Sequence, residues 1–191
     1  MVASVWKQPG RDVVLDLVSA ANTGFEAVRS SFEFTTVASP TADGAAKNSK
    51  ATLSPTAEGA ATYEGDVEVT WDRLQLEVYV DAVLTGNTVD YVPDAGNGKP
   101  RLVEGLTPAD IVGVLNAVLG LQTVAADFTA ESLTVTKVSD TEFTITPVAS
   151  DGTFLFLGSS TITFNQAVEK QQTASVVQNT ELDGLNAPVA G

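Results

Sequence analysis

The chain has 191 residues, of which 43% are hydrophobic, so it can build one large domain or two small ones. It has no cysteine and no histidine, which excludes disulfides, thiolate nucleophiles and histidine-based catalysis. Ten basic and 24 acidic residues give a net charge of -14 at pH 7, which disfavours binding to nucleic acid.

Some chemistry stays open after these exclusions. A pair of carboxylates can still hydrolyse glycosides, and oxygen ligands can still hold a hard metal ion. No apolar run reaches the roughly 18 residues of a membrane-spanning helix. The N-terminal sequence MVASVWKQPG also lacks the apolar core of a secretory signal. We therefore expect a protein that is made in a cytoplasm and is not inserted into a membrane.

The first predicted element is a helix in RDVVLDLVSAANTG, residues 11–24. Its apolar residues recur at helical spacing and place Leu17 on the predicted buried stripe. Three strands with period-two patterns follow: SSFEFTTV at 30–37, KATLSP at 50–55 and DVEVTW at 66–71. The polar loop 37–49 is long enough to predict an exposed flap or a contact arm.

The joining segment 76–100 is predicted to start as a continued strand, or as a hairpin that turns at Thr85-Gly86-Asn87. Further on, Asp90, Asp94 and Asn97 lie close together on a glycine-rich stretch, and calcium prefers such oxygen ligands. An EF-hand-like loop would also need a glutamate at a fixed spacing, and Glu104 comes too late. A polar turn is the favoured interpretation, and no metal site is predicted.

The second half repeats this order of elements. LTPADIVGVLNAVLG predicts a helix with Thr107 as its N-cap, Asp110 three residues later, Leu115 on the buried face and Gly120 as its end. Three strands are again predicted: ESLTVTKV at 131–138, EFTITP at 142–147 and STITF at 160–164. The residues SDTE, 139–142, predict a tight hairpin between the first two.

The two halves also share the spacing of certain proline, glycine and aromatic residues. Pro55 and Pro147 are 92 residues apart, and the pairs Gly65–Gly158 and Trp71–Phe164 are each 93 apart. We predict an α+β fold of two pseudo-repeated units, each a helix followed by a small, mainly antiparallel β-sheet, plus an extended C-terminal arm. The predicted boundaries are 1–82 for the first unit, 83–105 for a linker, 106–168 for the second unit and 169–191 for the arm.

This pattern resembles a repeat domain of unknown function found in virion structural proteins of large tailed bacteriophages. The first copy carries the resemblance in Tyr63, Gly65 and Trp71-Asp72-Arg73-Leu74. The second carries it in Phe156, Gly158, Phe164-Asn165-Gln166-Ala167 and, in its helix, Leu115-Asn116-Ala117. Gln166 stands where the first copy has Arg73, so a role of the arginine is not expected in both. The resemblance implies a place in a virus particle, with no catalysis and no cofactor.

Candidate site residues follow from residue type and from position along the chain. The predicted assembly contacts are Leu182, Leu185, Val189, Arg73 and Trp6. Asp72 beside Arg73 is interpreted as a structural pair. Asp66 and Glu68 are interpreted as the solvent face of a strand rather than as catalytic carboxylates. The scatter of Trp6, Tyr79 and Tyr91 along the chain favours core or interface anchors over a sugar-binding surface.

These observations lead to a non-enzymatic virion protein that is assembled in the host cytoplasm. We expect a capsid decoration or cement protein, bound to the particle through its loops and its C-terminal arm. Its expected partners are the major capsid protein or tail proteins and copies of itself, without nucleic acid, membrane, metal or cofactor. The alternatives are a tail, neck or baseplate component, then a glycan-binding adhesin or fibre module, with a carboxylate hydrolase last.

Overall fold

The first half places one helix against a small antiparallel sheet. The structure is a computed structural model, and it describes residues 6–25, 28–35, 37–39, 47–97 and 99–167. Helix α1 (Gly10–Ala21) is followed by strands β1 (Phe32–Phe34), β2 (Ser49–Pro55) and β3 (Val67–Trp71). The sheet order is β1-β2-β3, with both pairs antiparallel. The predicted helix and its three strands are confirmed.

Helix α1 buries a different stripe from the predicted one. Val14 and Leu15 are buried and pack against the sheet with Ala51, Phe32 and Leu53, whereas 53% of Leu17 is exposed. The prediction that Leu17 is buried is wrong. Apolar residues stand on most sides of this helix, so the sequence is compatible with more than one stripe, and packing on the sheet selects the one containing Val14, Leu15 and Val18.

The joining segment contains a helix where a strand or hairpin was predicted. After β4 (Leu74–Gln75) comes α2 (Leu76–Val83), and β5 (Thr88–Tyr91) follows. Buried residues recur at helical spacing in this stretch: Leu76, Tyr79, Val80 and Leu84. Its valines and tyrosine suggest a strand by propensity, and burial of the helical stripe overrides that preference. The turn at Gly86 and Asn87 is confirmed, since both residues have positive φ.

The second half forms the larger sheet. Helix α3 (Pro108–Leu119) is followed by β6 (Thr136–Lys137), β7 (Glu142–Ile145), β8 (Phe156–Leu157) and β9 (Ile162–Gln166). The sheet order is β5-β9-β7-β6, in which β5 runs parallel to β9. The short strands β4 and β8 pair in parallel and connect the two halves. The hairpin between β6 and β7 turns at the predicted place.

The ends of α3 agree with the sequence. The Thr107 hydroxyl oxygen accepts from the Asp110 backbone N–H at 3.2 Å, and the hydroxyl donates to the Asp110 carboxylate at 2.7 Å. Gly120 ends the helix in the left-handed conformation, with φ of 68°. Because a capped helix keeps its terminal polar groups paired, these local contacts stabilise α3 before any packing is counted.

The two halves share a strand order, in which β6, β7 and β9 correspond to β1, β2 and β3. The antiparallel register of β1 on β2 is the same as that of β6 on β7. The two registers coincide when 101 is added to the residue numbers of β1 and 92 to those of β2. The third strand is displaced by two residues in its ladder, since Ala51 pairs with Val69 and Phe143 pairs with Phe164. The topology is shared, while the duplication of the sequence stays a prediction.

A single large core crosses the boundary between the halves. It joins Val13 of α1 to Leu76 of α2, Leu115 of α3 and Phe156 of β8. Two smaller clusters lie between α1 and the first sheet. Within the described residues, no helix has both the length and the apolar composition needed to cross a bilayer.

The two helical leucines give a stability test. Leu115 is completely buried, so Leu115→Ala leaves a cavity and should lower the free energy of unfolding by about 2–5 kcal/mol. Leu17→Ala should change it by less than about 0.5 kcal/mol, because the side chain is half exposed. Urea denaturation of both variants measures the difference. An equal loss in the two variants would show that Leu17 is buried in solution.

Candidate functional site

The two halves meet along the turn that follows β3, and Arg73 lies at its centre. Only 4% of Arg73 is exposed. Its side chain reaches from the first half into the loop 151–153 of the second half. Burial lowers the pKa of Arg73, and the charge of Asp151 opposes this shift. A buried cation needs partners for its donors, and here they are oxygens of its own chain.

The guanidinium group donates hydrogen bonds on both sides of the junction. Nε donates to the Ser49 Oγ atom at 2.6 Å. One terminal nitrogen donates to the Asp151 carbonyl at 2.8 Å and to the Thr153 carbonyl at 3.2 Å. The other donates to the Ser39 Oγ atom at 3.3 Å. Because these bonds occupy all three nitrogens, Arg73 holds three segments of the chain together.

Asn48 fixes the backbone of the same turn. Its side-chain oxygen accepts from the Arg73 N–H at 2.7 Å, and its amide donates to the Arg73 carbonyl at 2.9 Å. Asp72 accepts from Lys47 at 2.7 Å and from the Asn48 N–H at 3.1 Å. These two bonds lower the pKa of Asp72, with Lys47 the larger cause. The interpretation of Asp72 and Arg73 as a pair is wrong, because each binds a different partner.

Trp71 closes the junction from the apolar side. Its indole Nε1 donates to the Phe154 carbonyl at 2.9 Å, and its ring stacks on the Phe154 ring with centroids 6.0 Å apart. Next to it, the Leu74 N–H donates to the Leu155 carbonyl. The junction thus combines a buried cation, stacked rings and strand pairing. The structure uses Arg73 within the chain, which corrects its prediction as a contact to other proteins.

Trp6 lies at the edge of an apolar groove. Its ring stacks on Phe156 at 6.0 Å and contacts Tyr79 at 5.0 Å. The groove has a volume of about 490 Å³, and its walls include Val78 and Val83, both of which are exposed. Trp6 therefore anchors the start of the described chain on the core, and one side of its ring borders this groove.

A second apolar surface runs between α1 and the free side of β3, and we call it the α1–β3 trough. It consists of two adjoining cavities of about 370 and 480 Å³ that share Val18, Asn22 and Val69. Leu17 and Val67 line it, and each is more than half exposed. Two large apolar side chains exposed next to a strand edge are typical of an interaction surface.

A family model described as "Family of unknown function (DUF7941)" matches residues 3–191. The chain belongs to this family. The match covers both halves, and it also covers the residues that follow Ala167. No curated protein matches the chain, and no solved structure does.

The other residues considered in the sequence are the C-terminal contacts and the oxygen ligands of the glycine-rich stretch. Leu182, Leu185 and Val189 lie outside the described residues. In the glycine-rich stretch, Asp94 accepts from the Asn97 amide at 2.5 Å, and Asp90 accepts from the Asn165 amide at 3.2 Å. Among the residues that the structure describes, no group of three acidic side chains is arranged to hold a metal ion.

The acidic candidates lie at the surface, and the two tyrosines lie in the core. Asp66 and Glu68 are exposed, and Glu68 pairs with Lys50 at 2.9 Å. Tyr79 and Tyr91 are buried and donate to the carbonyls of Leu119 and Pro100. The interpretation of Asp66 and Glu68 as a solvent face is confirmed, as is that of the two tyrosines as core anchors.

Two polar residues, one buried and one half-buried, were missed as organisers of loops. The buried Gln166 accepts from the Leu102 N–H at 2.6 Å and donates to its carbonyl. The half-buried Asn116 binds the backbone and the hydroxyl of Thr123. Gln166 aligns with Arg73 in the sequence and with the last residue of β3 in the ladder, and both Gln166 and Arg73 hold the backbone of another segment. The available signal was a polar residue at the end of an apolar strand or inside an apolar helix.

The role of Arg73 has a direct test. Arg73→Met should lower the free energy of unfolding by about 2–5 kcal/mol, because buried acceptors lose their donor at about 1–3 kcal/mol each. Lys47→Met, at an exposed ion pair in the same turn, should cost at most about 1 kcal/mol. Urea denaturation of the isolated chain compares the two. An isolated Arg73→Met chain as stable as the wild type would show that the guanidinium does not hold the halves together.

Alkaline pH should weaken the fold through Tyr91. Burial raises the pKa of Tyr91 to about 12, whereas an unfolded tyrosine ionises near pH 10. The folded chain keeps a proton that the unfolded chain releases, so this stability is complete below about pH 10 and is lost as the pH rises towards 12. Tyr91→Phe should lose about 1 kcal/mol at neutral pH with its bond to Pro100, and should lose less than the wild type above pH 10. Urea midpoints across this pH range measure both effects, and parallel curves for the two proteins would contradict the assignment.

Proposed function

We propose that this chain is a non-enzymatic structural protein of a tailed-bacteriophage virion, and within that class a capsid decoration or cement protein. The proposal rests on the resemblance of its two halves to a repeat of large-phage virion proteins. One observation supports a structural role for the residues of that pattern. Thr107, Arg73 and Asn116 use their polar atoms to hold the chain's own backbone or helix end.

The distribution of charge supports a protein partner with a basic surface. The chain carries a net charge of -14, and many of its few cations are already paired within the chain. Described examples are Arg29 with Asp12 and Asp16, Lys47 with Asp72, and Lys137 with Asp140. The surface that is left for a partner is therefore predominantly acidic. A shell protein with a basic outer face would attract it at long range.

The apolar surfaces supply the short-range part of such a contact. The groove beside Trp6 and the α1–β3 trough both leave large aliphatic side chains exposed. Burial of Tyr79 and Tyr91 removes two of the three aromatic rings that were considered for a glycan-binding surface. A tail, neck or baseplate position uses the same surfaces and differs from a capsid position in copy number.

Mass spectrometry of purified particles tests the proposal. Virions made from the genome that encodes this chain should retain the protein through a density gradient. A decoration protein should be present at a copy number comparable to that of the major capsid protein, whereas a tail or baseplate component should be far less abundant. Separated heads and tails provide the internal control. Recovery of the protein only among unassembled proteins of the lysate would refute the virion role.

A further inference from the structure

The third strand of each sheet has different surroundings in the two halves. In the second half, β9 lies between β7 and β5. In the first half, β3 pairs with β2 alone, and within the described part of the chain no backbone hydrogen bond joins residues 67–70 to another segment. The free edge of β3 thus presents N–H and C=O groups that can pair with an added strand.

Side chains at this edge are exposed where their counterparts are buried. When the middle strands are superposed by the 92-residue step, Val67 and Val69 of β3 occupy the ladder positions of Ile162 and Phe164. The two residues of β9 are completely buried, whereas 55% of Val67 is exposed. Part of the difference comes from β5, whose Tyr91 packs edge-on against Phe164 at 5.7 Å. Among the described residues, no strand takes this place beside β3.

The sequence after β9 resembles the segment that provides β5. At a step of 93, Asp90 recurs as Asp183, and the apolar Val89 and Val92 correspond to the apolar Leu182 and Leu185. Asn87-Thr88 recurs as Asn179-Thr180 at a step of 92. In the sequence, a step of 93 also separates Trp71 from Phe164, while the ladders displace the third strand by two residues. The C-terminal stretch therefore has the position and the pattern of a second β5.

The path of β5 shows which sheet a second β5 would join. The chain leaves the first half after β3, forms α2 and then adds β5 to the sheet of the second half. A segment that leaves the second half in the same way needs a further sheet with a free edge, and the first half of a second copy offers one. We propose that residues 182–185 of one copy add to β3 of the next copy as a parallel strand that covers the α1–β3 trough.

Side-chain sizes fit this pairing. In the second half, Tyr91 of β5 lies opposite Gln166. At the corresponding places, the C-terminal segment has Gly184 and β3 has Trp71. In the first pair the bulky ring is Tyr91, on the added strand. In the second pair it is Trp71, on the sheet, and Gly184 leaves room beside its indole. Leu182 then lies opposite Val69, where Val89 lies opposite Phe164.

Such a contact joins two different surfaces, so it is heterologous and produces rings or filaments of copies. It rests on the chain's own surfaces and does not depend on the virion role. The trough supplies apolar area under α1, and the strand edge supplies backbone hydrogen bonds. Together they give a directional contact between identical chains.

Disulfide trapping tests the register. The chain has no cysteine, so each introduced thiol is unique. One protein carries Val69→Cys, and a second, with a larger tag, carries Leu182→Cys. Neighbouring strands lie about 4.8 Å apart, within the Cα separation of a disulfide. Mild oxidation should produce the mixed dimer, whereas Val124→Cys, at a residue with 61% exposure, should not cross-link to Leu182→Cys.

The mass of the assembled protein provides an independent measurement. Light scattering of the full chain should show a mass that rises with concentration. The variant Leu182→Asp/Leu185→Asp should stay a monomer, and Val124→Asp should behave like the wild type. A wild-type chain that is monomeric at every concentration would overturn the proposal, as would a double variant that assembles normally. A disulfide that forms within a Val69→Cys/Leu182→Cys chain, but not between chains, would show that the strand closes on its own copy and would also overturn it.

Discussion

The buried guanidinium of Arg73 is the contact on which the arrangement of the two halves depends. A cation removed from water is stable only when its donors are satisfied, and the acceptors here come from β2, from the loop before it and from the loop 151–153. Each half therefore supplies atoms without which the other would bury an unpaired polar group. The next residue continues the junction, because the Leu74 N–H donates to the Leu155 carbonyl where β4 pairs with β8.

The apolar core adapts to this polar junction. Val13 of α1 belongs to the large cluster of the second half, while the next two residues of α1 pack on the first sheet. One helix therefore serves two cores, which explains why three consecutive residues are buried. The same division of α1 leaves Leu17 on the open side. The exposure of that leucine follows from the packing between the halves. Helical periodicity alone does not predict it.

Local signals in the sequence identify most elements, and contacts between distant residues decide the rest. The Thr107 cap, Gly120 and the hairpin at 139–142 involve neighbours in sequence, and all three are found where expected. Helix α2 is predicted as a strand or a hairpin because its residue types favour strands, whereas the helical spacing of its apolar residues is what the structure buries. The position of Arg73 was not foreseen for a related reason. Arg73 follows a strand in the sequence and resembles a surface residue, while its acceptors lie 78 and 80 positions away.

The distance along the chain between Arg73 and its acceptors has a consequence for synthesis on the ribosome. The acceptors of Arg73 and Trp71 include the carbonyls of residues 151–154, which are translated long after β3. The N-terminal half therefore emerges before two of the acceptors of Arg73 and the acceptor of the Trp71 indole have been synthesised. The second half carries its own helix cap and hairpin, and these can form as soon as they leave the exit tunnel. Completion of the first half thus waits for synthesis of residues 151–154.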